Sequence, residues 1–263
     1  MSTYPRKYQT SPKVDQAAHA GLLLSRFVPV EVIKRADDGL RIELLNNAIA
    51  AACRAKAVYA LAYQKRCERL LQFNSVEIFT LATKGRLAVG LGNASAMEIG
   101  LTLHHVYGVP IIPGQALKGL ALRYANATIK DVEQLKNVAN ILFGANNNAG
   151  FVDFEDAWIL PDSLVANGIV LDVMTPHHPD YYEGKSAPPS DQDDPRPLPF
   201  LAATGSFSFA VHCDVTGDNS DKWCEYAANL LQGALTQFTW GVGAKTRQGY
   251  GLFRPLDSSA TQS

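Results

Sequence analysis

Apolar residues recur at three- and four-residue intervals from Leu40 to Phe73, where alanines and leucines stand among Arg54, Lys56, Lys65, Arg66 and Arg69 with no Pro or Gly between them. That spacing predicts an amphipathic helix whose apolar face carries Leu45, Ile49, Cys53, Val58 and Leu61. Before it, residues 1–20 are polar and read as an arm or a partner-contacting tail. After it the period changes. Arg86–Leu91 alternates, which predicts a strand with Leu87, Val89 and Leu91 on one face, followed by a turn through Gly92, Asn93 and Ser95. Glu98–Tyr107 fits a second extended piece. Pro113 and Gly114 then open a helix with the buried stripe Leu117, Leu120, Ala121 and Tyr124. Gly119 inside it costs about 1 kcal/mol against Ala, so a second backbone is expected to approach there.

The second half repeats the theme. Ala149–Trp158 reads as a strand with Val152 and Phe154 inward and Asp153 and Glu155 outward. Residues 161–204 are rich in Pro and read as an irregular insertion. Gly205–Cys213 gives the cleanest alternation, with Phe207, Phe209, Val211 and Cys213 on one face. Trp223, Ala227, Leu230, Leu231, Ala234, Leu235 and Phe238 mark an amphipathic helix, and Tyr250–Arg254 a last short strand. Strand, helix, strand, insertion, strand, helix, strand is the α+β order of a ferredoxin-like or RRM-like sheet. Its helices cover one face and leave the other for a ligand. The domain reading is an N-terminal arm with helices at 1–75, an RRM-like domain at 76–256 containing the insertion 161–204, and a tail at 257–263.

Composition narrows this only locally. At 263 residues and 47% apolar content the chain can bury a sizeable core, and a net charge of −1 gives no global nucleic-acid signature. The charge is segregated, however. From Ile78 to Lys130 the only acid is Glu98, against Lys84, Arg86, Lys118, Arg123 and Lys130. From Tyr226 to Leu256 there is no acid, while Lys245, Arg247 and Arg254 are present. Cys53, Cys67, Cys213 and Cys224 have no CxxC spacing, and no signal-like segment opens the chain. They are expected to be reduced thiols of a cytoplasmic protein with no membrane contact.

The candidate chemistry centres on Gly241-Val-Gly-Ala-Lys-Thr-Arg-Gln-Gly-Tyr-Gly251. Its glycines allow close approach to the main chain, and Lys245, Thr246, Arg247 and Gln248 add donors, an arrangement suited to phosphate oxygens. A P-loop is excluded because Ala244 replaces the last glycine and no long helix follows; both G-x-G-x-x-G frames end on the wrong residue. A plain Gly-rich hairpin is the bland alternative. Asp153 and Glu155 have the form of a metal or acid–base pair, but a solvated strand face is the commoner reading. His177 and His178 lack a third ligand at zinc spacing, and Tyr181 and Tyr182 beside them are suited to stacking on bases. No metal or cofactor is expected.

Together, Ile112-Pro-Gly-x-x-Leu-Lys-Gly119, Phe143-Gly144, Gly150-x-Val-x-Phe-x-Asp-Ala157 and the terminal glycine loop resemble the RAMP superfamily of CRISPR proteins. Within it the pattern is most like the sixth-subunit type of the type III-B, or Cmr, effector complex. The resemblance runs from about Arg86 to Phe253. It implies an RRM-like, non-catalytic backbone subunit of an antiviral ribonucleoprotein, placed near the 3′ part of the guide RNA beside other RAMP subunits and the target RNA. It further implies that the glycine loop helps to hold the guide and that the insertion is a thumb wedged into the guide–target duplex, here with His177, His178, Tyr181, Tyr182 and Arg196. The related slicing subunit places an Asp after its first strand. The loop Gly92–Met97 has none, and Glu98 lies just beyond it, which argues against slicing.

The expected RNA-binding set is Gly241, Gly243, Lys245, Thr246, Arg247, Gln248, Gly249 and Tyr250, with Lys118, Arg123, Arg86, Asn93 and Ser95. Contacts of this kind fix position without reading sequence. The alternative is a metal-free endoribonuclease that processes precursor guide RNA through His104 or His105, as some relatives do.

Overall fold

The computed structural model describes residues 19–34, 38–92, 100–145, 148–175, 197–213 and 219–256. Four helices come first: α1 (Ala20–Ser25), α2 (Val30–Ile33), α3 (Asp38–Arg54) and α4 (Lys56–Leu70). Strand β1 (Ser75–Thr83) follows, then β2 (Ile111–Ile112), α5 (Gly114–Thr128) and α6 (Val132–Leu142). A tiny hairpin, β3 (Gly144–Ala145) with β4 (Asn148–Ala149), leads to β5 (Asp153–Phe154), β6 (Ala157–Ile159) and α7 (Pro161–Val165). The chain closes with β7 (Ile169–Met174), β8 (Leu198–Ala203), β9 (Ser206–Cys213), α8 (Ser220–Thr236) and β10 (Phe253–Pro255).

The main sheet runs β10-β1-β9-β6-β2, with β5 also on β9, and all its pairings are antiparallel. Counting β5 and β6 as one interrupted strand and setting aside the two-residue edge strand β2 gives last-first-third-second, the ferredoxin-like order. Helices α5 and α8 pack together against the face that carries Phe207, Phe209 and Val211, all at 0% exposure. Phe209 stacks on Phe79 and meets Phe253 edge-on.

Two motifs meet at the start of α5. A Cβ on Gly114 would lie 1.9 Å from the Phe154 carbonyl oxygen, so only glycine lets the helix reach β5. The Gly114 amide donates to the Asp156 carboxylate at 2.7 Å. Gly119, by contrast, has no backbone near it among the described residues, contrary to expectation.

Four further expectations are corrected. The first sheet strand is Ser75–Thr83, not Arg86–Leu91; the latter crosses the fold with a single bridge, Leu87 to Ala203, although Leu87, Ala88 and Val89 are buried. The helical stretch is two helices, broken at Ala55, so that α3 packs on the β7–β8 hairpin while α4 lies over the sheet. The buried side of α4 carries Tyr59, Arg66 and Leu70, with Tyr63 on the same stripe, whereas Val58 and Leu61 are 64% and 63% exposed. The insertion is regular at its flanks, because α7, β7 and β8 all lie within 161–204. Its apolar runs, Ile169–Leu171 and Phe200–Ala203, pair with each other and bury Ile169, Phe200 and Leu201 despite the surrounding prolines.

The sheet's second face is not open either. Tyr59 stacks on Trp158 and donates to the Ile159 carbonyl. Arg66 sits over Trp158 and donates to the Asp156 carbonyl at 2.9 Å. Phe73, just past α4, stacks on His212. The N-terminal helical segment therefore occupies the β6–β9 part of the face expected to be free, leaving Ile78 of β1 at 38% exposure.

Candidate functional site

The glycine loop begins where α8 ends. Lys245 takes a left-handed conformation (φ 59°) and is followed by a single 3-10 turn, Thr246–Gln248. Gly251 is fixed by sterics: its φ is +70°, and a Cβ there would fall 1.9 Å from the Val242 carbonyl oxygen.

Hydrogen bonds hold the loop inward. Val242 N donates to Gly251 O at 3.0 Å, Ala244 N to Ala88 O at 2.8 Å and Gly251 N to Arg86 O at 2.9 Å. Gln248 N and Tyr250 N donate to Lys245 O, and Gly249 N to Thr246 O. The Arg86–Leu91 segment, unused in the main sheet, is thus the platform for the loop. Among the loop glycines, the amides of Gly249 and Gly251 are engaged within the protein and are not directed at a ligand. The amides of Gly241, Gly243, Lys245, Thr246 and Arg247 take no part in these bonds. Arg247, Gln248 and Gly249 are exposed, and Lys245 and Thr246 are half-buried.

Around the loop the other expected residues divide. Arg86 pairs through Nη1 with the Asp172 carboxylate, and Tyr250 donates its hydroxyl to the other oxygen of the same group. Burial, then this hydrogen bond, push the Tyr250 phenol above its ordinary range, so it remains a neutral donor. Arg123 is exposed on α5 with its guanidinium 5.6 Å from the Trp240 ring centre, beside the first glycine of the loop. Lys118 is half-buried on α5, and no contact among the described residues ties it to the loop. Asn93, Ser95, His177, His178, Tyr181, Tyr182 and Arg196 lie outside the described residues.

Two participants escaped the sequence reading. Asp172 falls inside the Pro-rich insertion, yet it is a lone carboxylate in the otherwise apolar run Ile169–Met174. A buried charge in such a strand demands partners, and that was the available signal. Trp240 lies between the last apolar position of the α8 pattern and the first loop glycine, where no sequence pattern marks it.

The candidate histidines have structural partners. His104 Nδ1 accepts from Val106 N at 3.1 Å, and its ring packs on Tyr107 and Trp158. Burial lowers its pKa, with Asp156 opposing. The carbonyl of His105 lies 3.0 Å from His19 Nε2. Glu155 is not a free metal-type carboxylate: it pairs with Arg69 at 2.9 Å and His212 at 3.3 Å.

No helix among the described residues is long and apolar enough to cross a membrane. Among curated proteins, the CRISPR system Cmr subunit Cmr6 of Pyrococcus furiosus is 29% identical over 256 aligned positions, covering 75% of this chain and 73% of that protein. Among solved structures, a chain of type III-B Cmr-beta bound to cognate target RNA, studied by cryo-EM, superposes with a TM-score of 0.55 at 21% identity. That match covers 74% of this chain but 64% of the other, less than two thirds of its length. It is a likeness of fold. The model of the RAMP superfamily matches residues 80–254, more than half of the sequence, and the chain belongs to that superfamily.

Proposed function

We propose that this chain is a non-catalytic, RNA-binding backbone subunit of a type III-B (Cmr) CRISPR effector complex, acting in the cytoplasm. It holds the 3′ part of the guide RNA and the guide–target duplex beside other RAMP subunits. The likeness to Cmr6 and to a chain of an RNA-bound Cmr complex supports the assignment. The observation that carries the RNA-binding part is the loop's arrangement. Its inner amides are anchored on Arg86 and Ala88, while the outer turn presents Lys245, Thr246 and Arg247 with no acid in the loop sequence. Amides that take no part in the anchoring bonds among the described residues, with cations on the same turn, form an anion cradle that contacts backbone phosphates and reads no bases.

Residues 76–256 form the RNA-holding domain in this reading, and 1–75 an extension whose helix α4 closes part of its sheet. Arg86, Arg123 and Lys118 add positive charge around the cradle, and the insertion acts as the thumb. His104 is a packing residue here rather than a general base, because its Nδ1 and ring are already engaged.

The test is guide-RNA retention by the complex assembled from co-expressed subunits. The double variant Lys245→Ala/Arg247→Ala should lose guide RNA more readily as salt rises, with a salt slope reduced by about two phosphate contacts. Unchanged retention and slope in a correctly assembled complex would sink the loop assignment.

A further inference from the structure

We infer that Asp172 is a positioning residue for guide-RNA retention: from the base of the insertion it fixes Arg86 and Tyr250 beside the glycine loop and couples the insertion to that loop. The inference rests on the proposed RNA-binding role of the loop. An acid is the wrong charge to meet phosphate, so its presence in the centre of this region needs another reason.

The geometry supplies one. Asp172 is only 7% exposed, and its carboxylate accepts from three donors: Arg86 Nη1, the Tyr250 hydroxyl and its neighbour's amide, Val173 N, at 2.8 Å. Those donors come from three places in the chain. Arg86 lies on the platform segment, Tyr250 at the end of the glycine loop, and Val173 on β7, within the insertion. Arg86 is held twice, since its carbonyl also accepts from Gly251 N at 2.9 Å.

The side chain of Arg86 is nonetheless 48% exposed. A guanidinium has five N–H donors in a fixed fork, so one edge can remain on the carboxylate while another faces a phosphate. Asp172 thereby sets the direction of a cation that would otherwise sweep through solvent. The Tyr250 hydroxyl ties the loop's last turn to the same point.

Coulomb's law and this inference predict opposite signs. If Asp172 acted only as a charge, Asp172→Asn would strengthen binding to a polyanion. As a positioning residue, its loss weakens binding. The experiment measures the dissociation constant of labelled guide RNA from the reconstituted complex across a salt series. Asp172→Asn is expected to weaken binding about tenfold and Tyr250→Phe about fivefold, the scale of one to two hydrogen bonds. The double variant should be no weaker than Asp172→Asn alone, because both changes break one network. The salt slope should drop by about one phosphate contact in Asp172→Asn, as Arg86 loses its aim, whereas a loss of loop structure unconnected with Arg86 leaves that contact count unchanged.

Equal or tighter binding by Asp172→Asn, an unchanged salt slope, or fully additive losses in the double variant would overturn the inference. If Asp172→Asn fails to assemble, Tyr250→Phe, which removes one hydroxyl, decides the matter: unchanged binding overturns it. The Lys245→Ala/Arg247→Ala complex separates the two ideas. If that variant loses RNA while Tyr250→Phe and Asp172→Asn do not, the loop reading stands and only the role of Asp172 falls.

Discussion

Phe73 lies flat on His212, with ring centroids 3.6 Å apart and planes 10° from parallel. The contact joins the end of the N-terminal helical segment to the middle of the sheet. With Tyr59 on Trp158 and Arg66 over the same indole, it makes α4 part of the domain's packing.

Stability should therefore depend on α4. Tyr59 is fully buried and donates to the Ile159 carbonyl. Tyr59→Ala should destabilise by about 3–5 kcal/mol, the range for large aromatic truncations in cores. Tyr59→Phe should cost about 1–3 kcal/mol by leaving that carbonyl without this donor. Urea unfolding of the two variants tests this; a cost below that of surface substitutions would mean α4 is detachable.

The loop glycines should respond unequally. A Cβ on Gly251 meets the Val242 carbonyl oxygen at 1.9 Å, whereas one on Gly249 meets nothing within 4 Å. Gly249→Ala should cost only the left-handed backbone penalty of about 1–2 kcal/mol. Gly251→Ala should displace the loop and release guide RNA as the double cation variant does. Equal behaviour of the two in an RNA-retention assay would contradict this geometry.

Gly119 offers the reverse case. It is exposed within α5, and a Cβ there would have open space. Gly119→Ala should stabilise by about 0.4–1 kcal/mol by restricting the unfolded chain and favouring helix. A lower melting temperature would show that something unseen approaches that face.

His104 should make stability depend on pH. Burial holds its folded pKa below the ordinary value of 6.5, and its Nδ1 must stay unprotonated to accept from Val106 N. Between the folded and unfolded pKa values the unfolded chain binds more protons. This contribution is fully present above about pH 6.5 and is lost as pH falls through that window. The urea midpoint should drop from pH 8 to pH 5.5, and His104→Asn should flatten that drop. Identical pH slopes for the two proteins would refute the assignment.

The alternating strand Gly205–Cys213 and the helices at Gly114 and Ser220 were legible because in each the large apolar side chains fall on one face, although β9 is buried on both. The first strand was not. Ser75–Thr83 carries apolar residues on both sides, Val76 and Ile78 opposite Phe79 and Leu81, so period two is blurred; Arg86–Leu91 has the cleaner alternation but is buried as loop platform. The side of α4 that faces the sheet was hidden by Arg66, a charged residue made tolerable by the Trp158 ring and the Asp156 carbonyl. In the candidate site, residue types in the loop were readable, while the Asp172 tie spans 86 residues to Arg86 and has no local signature.

The ends of the sheet carry a last consequence. One border strand, β2, has two residues, and the other, β10, has three and finishes at Pro255, which has no amide hydrogen. Such short borders offer little ladder themselves, but β10 covers only Leu81–Thr83 of β1, so Ser75–Thr80 has β9 as its one strand partner among the described residues. A neighbouring chain that added a strand to this sheet would meet it along that six-residue stretch, and the shortness of β2 and β10 confines such growth to one place.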